Sequence, residues 1–187
     1  MKKSVLIIIG IFLFFSTSAD LLATTDEEAK ESEAYCNSTA KTEPTPLSLI
    51  IQKVDEGCAI LQNEGLAALP KFRGKGSSFL FDGTYIWIHG FKDNKMIQHP
   101  IKNKMEGKDL TDLVDKNGKK FFMMMNNVVK EKGAGWVEYL WPKPGTKDYV
   151  KKISYVKGCK TKEGQEVVLG CGIYNSKKEE IDKLELH

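Results

Sequence analysis

The 187-residue sequence lacks the usual marks of an enzyme. It holds no G-x-S-x-G, no Walker A loop, no H-E-x-x-H and no G-x-G-x-x-G. No cofactor motif is present, so no cofactor is expected. None of the four cysteines has C-x-x-C spacing, and His89 and His99 stand alone, which speaks against zinc. The carboxylates are scattered through turns and the C-terminal end, with no acid/base pair. His99 with a distant Asp and Ser makes a triad only on paper, because any chain of this size offers such a combination. No lysine cluster is interleaved with aromatics, as a nucleic-acid groove would need. There is no internal repeat and no low-complexity region. No second apolar run approaches membrane-span length.

The first residues carry what the rest lacks. Lys2 and Lys3 form a basic start. Val5 to Phe15 is apolar apart from Gly10, and Ser16, Thr17, Ser18 and Ala19 are small. This is the pattern of a secretory signal peptide over residues 1–19, cleaved after Ala19. The alternative, an uncleaved anchor, is disfavoured because about eleven helical residues rise only about 17 Å. No lipobox cysteine follows. Loss of Lys2 and Lys3 lowers the net charge from +3 to +1, too weak to predict a nucleic-acid partner. The mature chain is expected in the periplasm or secreted.

An even number of cysteines in an exported chain reads as disulfides. Four allow three pairings. Cys159–Cys171 is favoured because Lys162-Glu163-Gly164-Gln165 makes a turn between two strands, and Cys36–Cys58 then follows.

Residues 20–45 read as a leader arm pinned back by Cys36: a helix start at Thr25-Asp26-Glu27-Glu28, but little apolar periodicity. From Pro46, the residues Leu47, Ile50, Ile51, Val54, Cys58 and Leu61 follow helical spacing, and Gly65 and Pro70 punctuate the end. A short helix is possible at Leu66 to Leu69. Thr84 to His89 is aromatic and β-branched, a strand. Lys95 to His99 is a second strand across an Asp93-Asn94 turn. Asp109 to Val114 reads as a helical turn, and Lys120 to Glu131 as an amphipathic helix stopped by Gly133 and Gly135. Met123-Met124-Met125 points in three directions there, which suits packing rather than copper. Trp136 to Trp141, Lys151 to Val156 and Gln165 to Tyr174 are strands. Residues 176–187 read as a charged tail with a short helix. Short connections favour an antiparallel sheet with helices packed on it, an α+β domain over residues 46–175.

An ordered series of segments then resembles one family. Tyr85-Ile86-Trp87-Ile88 and Met96-Ile97-Gln98-His99-Pro100 form a hairpin similar to the first hairpin of single Cache domains, the extracytoplasmic small-molecule sensors. Gly107-Lys108-Asp109-Leu110, Leu113, Asp115 and Asn117-Gly118-Lys119 continue the match. So do Gly133 to Pro144, Lys152 to Val156 and Gly170 to Tyr174. The resemblance implies a PAS-like fold, a long N-terminal helix against a central antiparallel sheet. It implies a pocket for a small organic acid, lined by Tyr85, Trp87, His99, Tyr139, Trp141, Lys152 and, less firmly, Tyr155. Family members commonly precede a membrane helix and a signalling module. This chain stops at His187, so a sensing or solute-capture module presenting its ligand to a membrane receptor is expected. A ligand-free structural module of the same fold and, more weakly, an unrecognised hydrolase are the competing readings. The sequence assigns no oligomeric state.

Overall fold

The structure, a computed structural model, describes residues 22–175 and 177–187. The leader read as a signal peptide lies outside the described residues.

Helix α1 spans Asp26–Ser38. Thr25 and Glu28 form a reciprocal capping box: Glu28 N–H donates to Thr25 Oγ1 and Thr25 N–H to Glu28 Oε2. The segment read as a leader arm with a helix start at Thr25 is thus a capped helix through Ser38. Its buried residues, Ala29, Ser32 and Cys36, do keep helical spacing, but they are too small to register as an apolar stripe. Arg73, the chain's single arginine, anchors its start. Its guanidinium donates to Glu28 Oε1 and to the carbonyls of Leu22 and Ala23.

Helix α2 covers Leu47–Glu64 and runs into a 3₁₀ segment, Gly65–Phe72. Strands β1 (Leu80–Phe81), β2 (Thr84–Gly90), β3 (Met96–Gln98), β4 (Ala134–Pro142), β5 (Tyr149–Lys160) and β6 (Glu166–Ile173) form one antiparallel sheet. Its order is β1-β2-β6-β5-β4, with β3 also paired to β2. Helix α3 (Phe121–Lys132) precedes β4, and a short α4 (Lys178–Ile181) follows β6. Asp82 and Gly83 both have positive φ, 48° and 72°, as a two-residue turn matched to strand twist requires. Gly133, in the left-handed region, closes α3 by donating to Val129 O. Residues 109–114 are not the expected helical turn; Asp109 instead bridges to Lys95, and turns follow.

Alternation along the strands sorts side chains onto two faces. Helix α2 and the 3₁₀ segment cover one, packing Ile50, Val54, Leu61 and Phe72 on Ile86, Ile88, Ile153, Val167 and Leu169. Gly57 lets α2 approach, since a Cβ there would come 2.9 Å from Leu169 and from Phe72. The second face carries Tyr85, Trp87, Val137, Tyr139, Trp141 and Val156 under α3. The charged tail, after the short helix α4, returns to the sheet. Leu186 bridges to Trp136 in parallel sense, and Glu138 N–H donates to His187 O, so the outer edge of β4 is covered.

Both expected disulfide pairings are corrected. Cys58 bonds to Cys159, with Cα atoms 5.7 Å apart, while Cys36 and Cys171 are buried free thiols. Cys36 and Cys58 lie in different cores, on either side of the sheet. Cys159 faces Val167 across the β5–β6 ladder and Cys171 faces Tyr155. Four residues along a strand is about 13 Å, out of reach of a bridge. Non-reducing peptide mapping should recover Cys58 linked to Cys159, with Cys36 and Cys171 alkylated only after unfolding. Replacing both bridged cysteines by serine should cost roughly 2–4 kcal/mol in denaturant unfolding.

Candidate ligand-binding site

The second face of the sheet gathers a cage around one amine. Register places Lys152 opposite Tyr139 and Ser154 opposite both Val137 and Gly172. Tyr85 and Trp87 rise from β2. Gly170 and Gly172 of β6 leave room for them: a Cβ on Gly170 would overlap the Trp87 ring, and one on Gly172 would overlap Lys152 Cε and Ser154 Oγ. Lys152 Nζ sits 4.2 Å from the Tyr85 ring centre, 5.1 Å from Trp87 and 5.0 Å from Tyr174. The rings fix one another. Trp141 Nε1 donates to Tyr85 Oη at 3.0 Å, Tyr139 Oη lies 3.0 Å from Ser154 Oγ, and Tyr174 Oη donates to Pro142 O. Phe121 of α3 stacks on Tyr139 with centroids 4.4 Å apart.

The amine has no hydrogen-bond partner among the described residues and is 0% exposed. Burial, and more weakly the Lys102 charge, pull its pKa down to about 7, against some support from Cys171 and Cys36. That support is weak at neutral pH, because burial pushes both thiols up to about 12 and leaves them uncharged. Three rings in place of a carboxylate hold the cation by cation–π attraction, about 0.5–2 kcal/mol each. That is less than the several kcal/mol an ammonium loses on leaving water.

The segment after β3 closes the cage. His99 lies 4.9 Å from the Tyr85 ring. Its Nδ1 accepts from the N–H groups of Ile101 and Lys102, so the neutral ring carries its proton on Nε2. Burial, then the charges of Lys152 and Lys102, hold its pKa well below the usual histidine value. Glu106 accepts from His99 N–H and Thr24 N–H, and Asn103 donates to Thr24 O and Asp26. The segment is thereby stitched to the start of α1. Lys102 reaches over the Trp141 ring at 5.6 Å. Asp115 anchors the far end, accepting from Asn117, Lys119 and Leu140 N–H.

Six residues singled out in the sequence therefore converge: Tyr85, Trp87, His99, Tyr139, Trp141 and Lys152. Tyr155 does not join them. It is three positions from Lys152, so it points through the other face, where it packs on Trp136 at 5.2 Å. Trp136 is core, as expected. Tyr174 belongs to the cage although the sequence reading passed over it. Its signal is the alternation Gly170, Gly172, Tyr174, two empty positions and then a ring on one face. Ser154 and Phe121 were also missed. An open groove beside Gln62, Val129, Gly158, Cys159 and Val167 lies elsewhere and offers no buried, unpartnered polar atom among the described residues.

Comparison with known proteins identifies the family. The Cache domain family model dCache_2 matches residues 75–186, more than half of the chain. The chain belongs to the Cache domain family. A relative is the methyl-accepting chemotaxis protein McpP of Pseudomonas putida, 36% identical over 90 residues. Those residues are 48% of this chain and 16% of McpP, so the chain spans only a small part of that relative. The Cache fold is also similar to a solved structure described as the periplasmic sensor domain of a chemotaxis protein. That likeness has a TM-score of 0.50 and 27% identity, and covers 79% of this chain and 95% of that one. A second solved structure, described as showing carboxylic acid recognition by a Cache chemosensory domain, is 28% identical. It has a TM-score of 0.48, covering 85% of this chain and 99% of the other.

The buried amine gives this Cache domain a signed pH dependence. With its folded pKa near 7 and an ordinary lysine value of 10.5 when unfolded, the unfolded chain holds the extra proton between those values. Stability should therefore rise with pH from about 7 upward, by up to about 1.4 kcal/mol per pH unit from this group. Lys152→Met should remove that slope and raise stability at pH 7. Chemical denaturation across pH 6–9 measures both.

Proposed function

We propose that the domain captures a small organic acid beneath residues 99–120, outside the cytoplasm, as a sensing or solute-capture module. One observation carries this reading: a fully buried Lys152 amine with no hydrogen-bond partner among the described residues. Such a group is costly unless something anionic completes it, and nothing among the described residues does. A carboxylate would take the amine as its counter-charge and accept a second hydrogen bond from His99 Nε2–H or a tyrosine hydroxyl. The rings of Tyr85, Trp87, Tyr139, Trp141 and Tyr174 suit a short apolar remainder. The likeness to a chemotaxis receptor and to a periplasmic sensor domain supports the setting. It also supports a membrane receptor as the partner that reads the bound state. None of the steps calls for bond chemistry.

Acid capture and a ligand-free structural role separate in a thermal-shift panel of acetate, propionate, lactate and succinate. An acid present at about 100 times its dissociation constant should stabilise the wild type by about 2.7 kcal/mol. Lys152→Met should lose the shift while remaining folded, and His99→Ala should weaken it. Amino acids should do worse than the unaminated acids, because among the described residues the buried unpartnered groups include no carboxylate to receive an ammonium.

Binding should also take up a proton above pH 7, where the free amine is neutral and the occupied one charged. Calorimetry in two buffers of different ionisation enthalpy reads this directly. Binding with no proton uptake at pH 8, or binding that survives Lys152→Met, would place the site elsewhere.

A further inference from the structure

Behind the Trp87 ring lies a polar chain that does not face the caged amine. Trp87 Nε1 donates to His89 Nδ1 at 3.2 Å. His89 Nε2 lies 3.0 Å from Asn126 Oδ1 on α3. Asn126 Nδ2 donates to Asn94 Oδ1 at 3.1 Å and to Phe91 O at 3.3 Å. Asn94 Nδ2 donates to Thr111 Oγ1, which donates to Asp109 Oδ1. His89, Asn126 and Asn94 are all buried.

The chain has one consistent direction. An indole N–H only donates, so His89 Nδ1 must accept. The neutral ring then carries its proton on Nε2 and donates to Asn126 Oδ1. That turns the Asn126 amide nitrogen toward two acceptors, and the Asn94 nitrogen toward Thr111. Reversing any one group would set donor against donor in a buried place, a costly arrangement. Asn94 holds its place with φ of 50°, a conformation asparagine tolerates.

What the chain holds is a wall of the cage. The Trp87 ring lies on the bare backbone of Gly170 and faces Lys152 Nζ. Phe122 of α3 meets both Trp87 and His89 edge-on, at 6.3 and 5.1 Å. The indole is therefore tied to α3 and to the segment around Asn94, neither of which is part of its own strand.

We infer that His89, held in one tautomer by Asn126 and Asn94, is the positioning residue for Trp87 and thereby sets how tightly the cage holds its acid. This rests on the reading that a small acid binds at Lys152. It adds that affinity is controlled from α3, through a hydrogen bond that touches no ligand.

The test has a part that needs no ligand. In the ¹⁵N-labelled wild type, an N–N coupling across the hydrogen bond should connect Trp87 Nε1 with His89 Nδ1. Its absence would overturn the inference. The second part uses calorimetry with acetate, propionate, lactate and succinate. His89→Leu should weaken the best binder about tenfold, as loss of one buried hydrogen bond does. His89→Asn, whose amide oxygen can replace Nδ1, should stay within about threefold of wild type. In a Trp87→Phe background His89→Leu should cost nothing further. Equal loss in that background, or no rescue by asparagine, would show a merely structural histidine and sink the idea. If the coupling is present and none of the four acids binds, the acid-capture reading is what fails, and with it His89's control of affinity.

Discussion

The structure turns on one unbalanced charge. Lys152 projects from the middle of the sheet among aromatic rings, and among the described residues no carboxylate meets its amine. Folding alone does not favour this arrangement. A neutral, apolar side chain of the same length would fill the space without the loss of hydration. The lysine makes physical sense as half of an ion pair whose other half comes from solution. The cation–π contacts and the lowered pKa follow from that. By itself the amine is tolerable because rings partly replace water and because it can shed its proton near neutrality.

The rest of the fold serves to make that position rigid. One sheet face is closed by α2, which is joined to β5 by the Cys58–Cys159 bridge and packed closely at Gly57. This leaves the opposite face free for the cage without exposing the core. On that face the supports come from both sides: α3 stacks Phe121 on Tyr139, and the 99–120 segment is held at one end by Glu106 and at the other by Asp115. Two free thiols, Cys36 and Cys171, pack near the start of β2, where both meet Thr84. They are inert at neutral pH because burial keeps them protonated.

Much of this was legible from residue types and spacing. Tyr85 with Trp87, and Tyr139 with Trp141, share faces by simple alternation, and both pairs do lie on the Lys152 face of the sheet. Alternation could also have rejected Tyr155, since an odd separation from Lys152 puts it through the sheet. It could have recovered Tyr174 from the glycines that precede it. Other features were hidden for physical reasons. Helix α1 buries Ala29, Ser32 and Cys36, which carry too little apolar surface to show a stripe. The disulfide depends on how α2 crosses the sheet, which no local spacing encodes. The return of residues 184–187 to β4 depends on an edge strand needing a cover, a need visible only once the strand order is known.

The account stands or falls on the state of one nitrogen. Its most direct measure is an NMR titration of the Lys152 side chain, following ¹³Cε or ¹⁵Nζ with and without a saturating short carboxylate. A midpoint near 7 in the free protein, moving upward when acid is bound, is the predicted result. A midpoint at the ordinary lysine value that no carboxylate shifts would mean that Lys152 is solvated and that this cage is not the binding site.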